Sequence, residues 1–448
     1  MSKKTIIKGT IILTITGLLT KLLGFYNRIF LTRIIGVKEL GIYQLIFPLY
    51  MLSFAICVHG VSTALTKQVS YFIGKKSPCE AKQVFKSSLV ISITLSIIVS
   101  ILLNIFAYPL SLHILKNTDC MQLLKTISIA IPFVALKSCI NAYFIGIDKP
   151  GYHGISHFIE QIFRIGTTYL LACFWSNDML NAKLAVTAIV IGEITATIFA
   201  VIFYKLYIIK NKKKFINYHK NNINKKLIYI NFLHDALPIT SNNLLFTLFS
   251  SFETIIMPAM LFKYYHNNDL SMELYGIVTG IVIPFLLFPS TITTSLSTML
   301  LPAVSYAKAQ KNENAIKTAL KNSILFCIFL GICAWFVYLL FGEIACEFAF
   351  KNKTAGTLLK KISFMCPLIY LSGNLSAIMN GIDKAFTNLM FNIISISIRI
   401  MFSIIFVPNF GIIAYIYGLT TSYIVLDILL LFAVFNRNKT SKTRVHKV

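Results

Sequence analysis

Charge is scarce in this chain: Asp, Glu, Lys and Arg together make up 13% of its 448 residues, and only 16 of them are acidic. A soluble domain of this length needs far more polar surface, and a mean hydropathy of +0.74 points the same way. Paired cysteines are also missing. The nine cysteines lie mostly in apolar runs and none forms a C-x-x-C pair. That excludes a disulfide framework or a cysteine metal centre, and leaves small hydrophobic side chains. There is no Walker A sequence, no GxSxG elbow, no HExxH and no GxGxxG. Nucleotide-driven transport by this chain alone is thereby removed. A membrane glycosyltransferase or polymerase would carry its chemistry on a large polar loop, and none is present. No enzymatic activity, cofactor or metal is expected. A small-residue cleavage site is likewise absent after Lys3, Lys4 and Lys8, where the apolar run continues through Lys21, Arg28 and Arg33. The first span is expected to be retained.

What the chain has in abundance is apolar length, 56% of its residues. About 20 residues of helix cross the hydrocarbon core, and stretches of that kind recur at roughly 9–33, 41–72, 86–110, 122–146, 152–175, 184–208, 232–262, 274–306, 317–341, 358–381, 386–407 and 411–435. With the N-terminus placed in the cytoplasm, the cytoplasmic loops hold 26 of the 42 Lys and Arg residues and the opposite loops ten. This asymmetry follows the positive-inside rule with both termini inside. The basic excess therefore reads as topology and not as nucleic-acid binding.

The second half repeats the first at an offset of 235 residues. Residues 41–71 and 276–306 are identical at ten of 31 positions without a gap. Further on, Pro132 meets Pro367, Gly146-Ile147-Asp148-Lys149 meets Gly381-Ile382-Asp383-Lys384, and Arg164 meets Arg399. Shared apolar composition does not produce such a block at an unchanged offset, so this is a duplication. Six spans per half is an even number, so both halves enter the membrane in the same sense. The expected fold is an all-α polytopic membrane protein of about twelve helices. Two parallel lobes, 1–208 and 232–436, would flank a central cavity, joined by a basic cytoplasmic linker at 209–231 and followed by a basic tail at 437–448.

Ionisable residues inside spans carry the functional signal, because each is costly unless it meets a cavity or a partner. On the first span Lys21, Gly24 and Arg28 lie at i, i+3 and i+7, with Thr14 and Gly17 on the same stripe and Arg33 near the outer side. A cationic stripe facing a cleft would attract a phosphate or diphosphate head group. Lys67 and Lys137 lie nearer span ends, where the lipid interface is an equal claim. The fifth span carries His153, His157, Glu160 and Arg164, and its repeat carries Asn388, Asn392, Ser395 and Arg399 at the same places. Two halves thus keep a polar face ending in arginine. The His-x3-His spacing also fits a metal site, but a third strong ligand is missing, and Glu160 and Arg164 are spaced to pair with each other. The other intramembrane acids are Glu193, Asp235, Glu253 and Asp427. They could bind a coupling proton or cation, or neutralise the arginines. Asp235 and Glu253, the candidate ion-coupling residues, share a seventh span that Pro238 and Pro258 are expected to interrupt.

Several stretches resemble the stage V sporulation protein B family of the multidrug/oligosaccharidyl-lipid/polysaccharide exporter superfamily. They are Lys8-Gly9-Thr10, LTKLLGFYNRIFLTRIIG at 19–36, GIYQLIFPLY at 41–50, STALTKQVSYFIGKK at 62–76 and GIVIPFLLFPSTITTSLSTMLLPAVSYAKA at 280–309. The resemblance implies a V-shaped, MATE-like pair of six-helix lobes alternating between inward-open and outward-open states. It implies flipping of undecaprenyl-diphosphate-linked sugars or peptidoglycan precursors to the outer leaflet of the plasma membrane, for wall, spore-cortex or polysaccharide synthesis. Membrane lipids, cell-wall synthesis proteins and Na+ or H+ are the other partners it suggests. Related lipid II flippases carry basic residues at the places of Lys21 and Arg33. They have another arginine where this chain has Asn27, and two further C-terminal spans that cradle the lipid tail.

Two other readings compete. A cation-coupled drug exporter of the same superfamily would have a carboxylate-lined cavity in its N-terminal lobe, whereas this first span is cationic. A noncatalytic scaffold for wall synthesis would need no duplicated polar stripes. The lysine asymmetry makes one direct prediction. Single cysteines placed in loop 209–230 or at either terminus of a cysteine-free chain should escape membrane-impermeant maleimide applied from outside, and become labelled once the membrane is opened. Labelling of intact cells there would overturn the topology.

Overall fold

The computed structural model describes residues 3–75, 77–147, 149–174, 181–210, 225–294, 296–297, 313–382 and 384–435. Most of the linker, the tail, Asp148, Asp383 and the end of the second repeat block at 298–306 lie outside the described residues. Among the described residues every regular element is helical. The first half comprises α1 (Lys3–Leu45), α2 (Phe47–Phe54), α3 (Gly60–Gly74), α4 (Pro78–Ile105), the short turn α5 (Ala107–Pro109), α6 (Cys120–Ser128), α7 (Ala130–Gly146), α8 (Gly151–Phe174) and α9 (Ala182–Lys210). Next comes α10 (Lys225–Tyr265), then α11 (Asn268–Gly276), α12 (Ile283–Leu286), α13 (Glu313–Phe350), α14 (Lys353–Ile362), α15 (Cys366–Gly381), α16 (Ala385–Ile405), α17 (Val407–Phe410) and α18 (Ile412–Phe435).

Among the described residues ten helical stretches are long and apolar enough to cross a membrane. The first of them, Ile15–Gly74, is 60 residues long and covers two of the expected spans. Helix α8 is missing from the ten, because His153, His157, Glu160, Gln161 and Arg164 lower its hydropathy. The outward faces are what lipid requires. On α13, Leu325, Phe329, Phe336, Leu340, Ile344 and Phe348 are all exposed, a stripe at helical spacing on the outside of the element. A soluble helix would turn that stripe inward.

The residues divide into two compact units, Met1–Ser251 and Phe252–Val448. The division falls within α10, after the linker drawn from sequence. In the first unit the core joins α3, α4, α7, α9 and α10 through Leu65, Val69, Phe85, Tyr143, Phe144 and Phe232. Hydroxyls donating to backbone carbonyls reinforce the helix contacts, as expected where lipid offers no hydrophobic drive for association. Ser70 reaches the Gly146 carbonyl at 3.0 Å, Ser100 that of Ser128 at 2.6 Å, and Thr197 that of Phe133 at 3.0 Å. Between α2 and α3 the chain winds through a π-helical turn, Ala55–His59, and Ser92 donates to the Cys57 carbonyl within it at 2.7 Å. In the second unit α13 packs on α14 and α15, and α18 on α15 and α16. There the Tyr338 and Tyr370 hydroxyls cap the Phe285 and Leu286 carbonyls at 2.7 and 2.9 Å.

The prolines of the seventh span do not interrupt it: α10 is continuous from Lys225 to Tyr265 through Pro238 and Pro258. Next to Pro238, Thr240 and Ser241 donate to the carbonyls of Ala236 and Leu237, each at 2.9 Å. Membrane helices tolerate proline where the surrounding structure holds the helix on either side of it. Helix α10 also comes close to α3 at Gly60, where a Cβ would sit 2.7 Å from the Thr240 backbone nitrogen.

The true break lies in α1. Gly36 adopts φ 79, ψ 171 and separates a long first segment from Val37–Leu45. Only glycine occupies that region without strain, which otherwise costs about 1–3 kcal/mol. Gly36→Ala should therefore lower the melting temperature of the detergent-solubilised protein. Gly17→Ala, on the same helix with open space around it, should leave it unchanged or raise it slightly. Equal melting of the two variants would remove the strained hinge.

Candidate functional site

The charge pattern of α7, α8 and α9 converges inside the first unit. Helix α7 brings Lys137, α8 brings Glu160 and Arg164 one turn apart, and α9 brings Glu193. The Lys137 Nζ lies 2.7 Å from Glu160 Oε2 and contacts Glu193 as well. Arg164 contacts Glu160 and lies 3.8 Å from Glu193. His157 Nδ1 stands 3.1 Å from the Glu160 carboxylate. Lys137 is 3% exposed, Glu160 5% and Glu193 7% by side chain, and with the half-buried Arg164 they make a balanced set of two cations and two anions. Such a set is tolerable only because each member is met, since desolvation would otherwise dominate.

This cluster forms one wall of a cavity of about 480 Å3. His153 and His157, with rings in an edge-to-face arrangement 4.7 Å apart, continue that wall along α8. Phe47, Tyr50 and Phe54 of α2 line the same cavity. Two tyrosines tie the cluster toward α1. Tyr50 lies in the electrostatic field of Arg164, Glu160 and Glu193, and Tyr43 in that of both Arg164 and Arg28.

Helix α1 packs along α8: Thr16 touches Gly154, Gly24 approaches Gln161, and Phe30 stacks on Tyr169 with centroids 5.3 Å apart. Of the expected cationic set, Arg164 alone lines the cavity. Lys21 is exposed on α1 and has no hydrogen bond or ion pair among the described residues. Arg28 is half-buried and Arg33 exposed, just before the Gly36 break. Counting 1.5 Å per residue, Lys21 sits about 18 Å from either end of the span at 9–33, beyond the reach of a snorkelling side chain.

Arg399 belongs to the second unit, where Glu253 of α10 lies 3.2 Å from its Nη2 and accepts a hydrogen bond from Tyr415 at 3.3 Å. The guanidinium thus stands where a coupling cation at Glu253 would stand. The Asp235 side chain lies outside the described residues. The asparagine stripe is satisfied within its own unit. Asn388 donates to Asn380 Oδ1 at 3.2 Å and Asn392 to the Asn388 carbonyl at 2.8 Å, while Ser395 donates to the Ser422 carbonyl at 3.0 Å.

Reasoning from sequence placed Lys137 near a span end and gave Glu193 no specific role; both prove central. Their signal was ionisable character inside an apolar run. Tyr43 and Tyr50 gave none, since aromatic residues in a membrane helix are ordinary.

Residues 6–308 match the family model described as polysaccharide biosynthesis protein. Stage V sporulation protein B of Bacillus subtilis (strain 168) is 26% identical over 437 residues, covering 96% of this chain and 83% of the relative. Lipid II flippase MurJ of the same organism is 20% identical over 352 residues, covering 75% and 64%. Among solved structures, an inward-facing multidrug resistance MATE family transporter of the MOP superfamily superposes with a TM-score of 0.68 at 15% identity, over 94% of this chain and 96% of that one. The fold is therefore MATE-like. Helices that bury a balanced charge cluster beside a cationic first span are set in a multi-pass membrane protein, and with well over half its length matched, the chain belongs to the polysaccharide biosynthesis protein family.

Proposed function

We propose that the protein flips an undecaprenyl-diphosphate-linked oligosaccharide or peptidoglycan precursor from the inner to the outer leaflet of the plasma membrane by alternating access. Its product would feed cell-wall, spore-cortex or polysaccharide synthesis, and both termini would face the cytoplasm. The observation that carries this reading is Lys21, a mid-span cation without a partner among the described residues. Such a charge is costly unless an anion visits it, and Arg28 lies two turns along the same face. A diphosphate travelling past α1 supplies that anion. The match to a polysaccharide biosynthesis family and the names of the flippase and sporulation relatives agree with it.

The drug-exporter reading draws on Glu160 and Glu193, which do line a cavity of the first unit. Each is answered by Lys137 or Arg164, so the wall has no net negative charge with which to hold a cationic drug. Ion coupling at Glu253 would require Arg399 to move away.

Lys21→Ala and Arg28→Ala should each reduce flipping by about ten- to a hundredfold, the worth of a charge-assisted contact, in proteoliposomes carrying a fluorescent undecaprenyl diphosphate saccharide. Insertion and melting should be preserved, and full activity of the double variant would remove the cationic path.

Energy has to come from substrate supply, an ion gradient or the membrane potential. A potential of 100 mV changes the energy of a unit charge by ~2.3 kcal/mol. An interior-negative potential draws the unloaded Lys21 and Arg28 inward, and a bound diphosphate neutralises them, so the loaded carrier is free to turn outward. Flux under potassium–valinomycin clamping, at fixed proton and sodium gradients, should rise with interior-negative potential. Flux that is flat from zero to strongly negative potential would reject the charge-driven return.

A further inference from the structure

The cavity of the first unit is chemically unlike the cationic first span. Its polar wall carries Lys137 and Arg164 against Glu160 and Glu193, so no net charge is left to attract either an anion or a cation. Phe47, Tyr50 and Phe54 give the same cavity an aromatic lining. Asn141 of α7 lines the same space at 4% exposure, and its side chain has no hydrogen-bond partner among the described residues. The Nδ1 of His153, also a lining residue, is buried without a partner. Polar groups that face a void in this way are placed to meet a ligand or water. At about 480 Å3 the space falls within the ~300–1,000 Å3 typical of small-molecule sites.

The occupant must be neutral overall, must offer hydrogen-bond donors and acceptors side by side, and must present an apolar face. A dianionic diphosphate fails the first test, because the two cations of the wall are already paired with carboxylates and leave no net positive charge to hold it. A polyprenyl tail fails the second. A pyranose meets all three: adjacent hydroxyls give hydrogens to a carboxylate while accepting from an ammonium or an amide, and the C–H face of the ring lies on an aromatic side chain. We propose that this cavity is a saccharide subsite. A sugar of the head group would lie against Phe54 and Tyr50, with its hydroxyls on Glu160, Glu193 and Asn141, while the diphosphate stays with Lys21 and Arg28. This rests on the flippase reading above and adds which part of the substrate is recognised where.

Two water-soluble probes test it on the full-length protein in nanodiscs: a short-chain polyprenyl diphosphate bearing an N-acetylhexosamine disaccharide, and the same short-chain diphosphate without sugar. The wild type should bind the sugar-bearing probe about tenfold more tightly, the worth of a few hydrogen bonds and one ring contact. Asn141→Leu and Phe54→Leu should each erase most of that difference and leave the sugar-free probe bound as before, with Phe54→Trp retaining it. Because the sugar-free probe reports intact folding, a variant that loses both probes is replaced by Asn141→Ser or Phe54→Tyr, for which graded loss and retention are expected. Equal affinity of the wild type for the two probes, or an undiminished preference in both leucine variants, would overturn the saccharide subsite and leave the diphosphate reading standing. Binding of neither probe would overturn both.

Discussion

Lys137 ties α7 to α8 and α9 through two carboxylates. A lysine buried in a membrane lobe has few solutions: it can reach an interface, or it can be met by carboxylates. At 3% exposure and in contact with Glu160 and Glu193, it takes the second, and the rest follows. Two carboxylates around one ammonium leave an excess negative charge, which Arg164 removes by contacting Glu160 from one turn further along α8. Three helices, α7, α8 and α9, are thereby fixed in rotation about their own axes. Removing one partner of a buried pair costs about 3–5 kcal/mol, because its mate is left uncompensated. The set is thus a register device as well as a wall.

The duplication makes the same constraint visible twice, with different solutions. Arg164 and Arg399 occupy equivalent places, but their counterions do not. In the first unit these come from α8 and α9; in the second, Glu253 comes from α10. The position equivalent to Glu160 is Ser395, which donates to a backbone carbonyl. The position equivalent to Lys137 is Ser372, whose hydroxyl donates to the Ile369 carbonyl at 2.9 Å. A duplicated arginine has persisted while its neutralisation diverged, so the two halves no longer present equivalent polar walls. The first unit is the elaborated one: its stripe lines a cavity, while the asparagine stripe of the second bonds mainly to itself.

What could be read from sequence was whatever is local or periodic. Apolar runs gave the spans, because lipid demands about 20 residues wherever a helix crosses, and the invariant offset gave the repeat. The pairing of Glu160 with Arg164 was legible because four residues on a helix are neighbours. The partnership of Lys137 with Glu193 was not, since it joins residues 56 apart whose meeting depends on how α7 and α9 pack. The same limit explains why Arg399 was grouped with Lys21 and Arg28 as one cationic set: residue type and span membership do not say which carboxylate already answers each arginine. Pro238 and Pro258 misled for a related reason. Proline weakens a helix by removing one backbone hydrogen bond, a cost that does not end a membrane helix held by its neighbours, and α10 runs on through both.

The separation between the charged path and the neutral cavity has a physical logic for a carrier. A site that holds a dianion with fixed cations binds it strongly and releases it slowly, because the charges attract in both orientations of the carrier. A neutral wall of balanced charges gives many hydrogen bonds of modest net worth, each replaceable by water on release. Putting the net charge on α1 and the balanced charge in the buried cavity keeps Coulomb attraction weak where it would trap the sugar. Selectivity then rests on the geometry of Asn141, Glu160 and Glu193, which Lys137 and Arg164 hold in place. The two cations need not touch the substrate to matter: by pairing with both carboxylates they fix where those hydrogen-bond acceptors point.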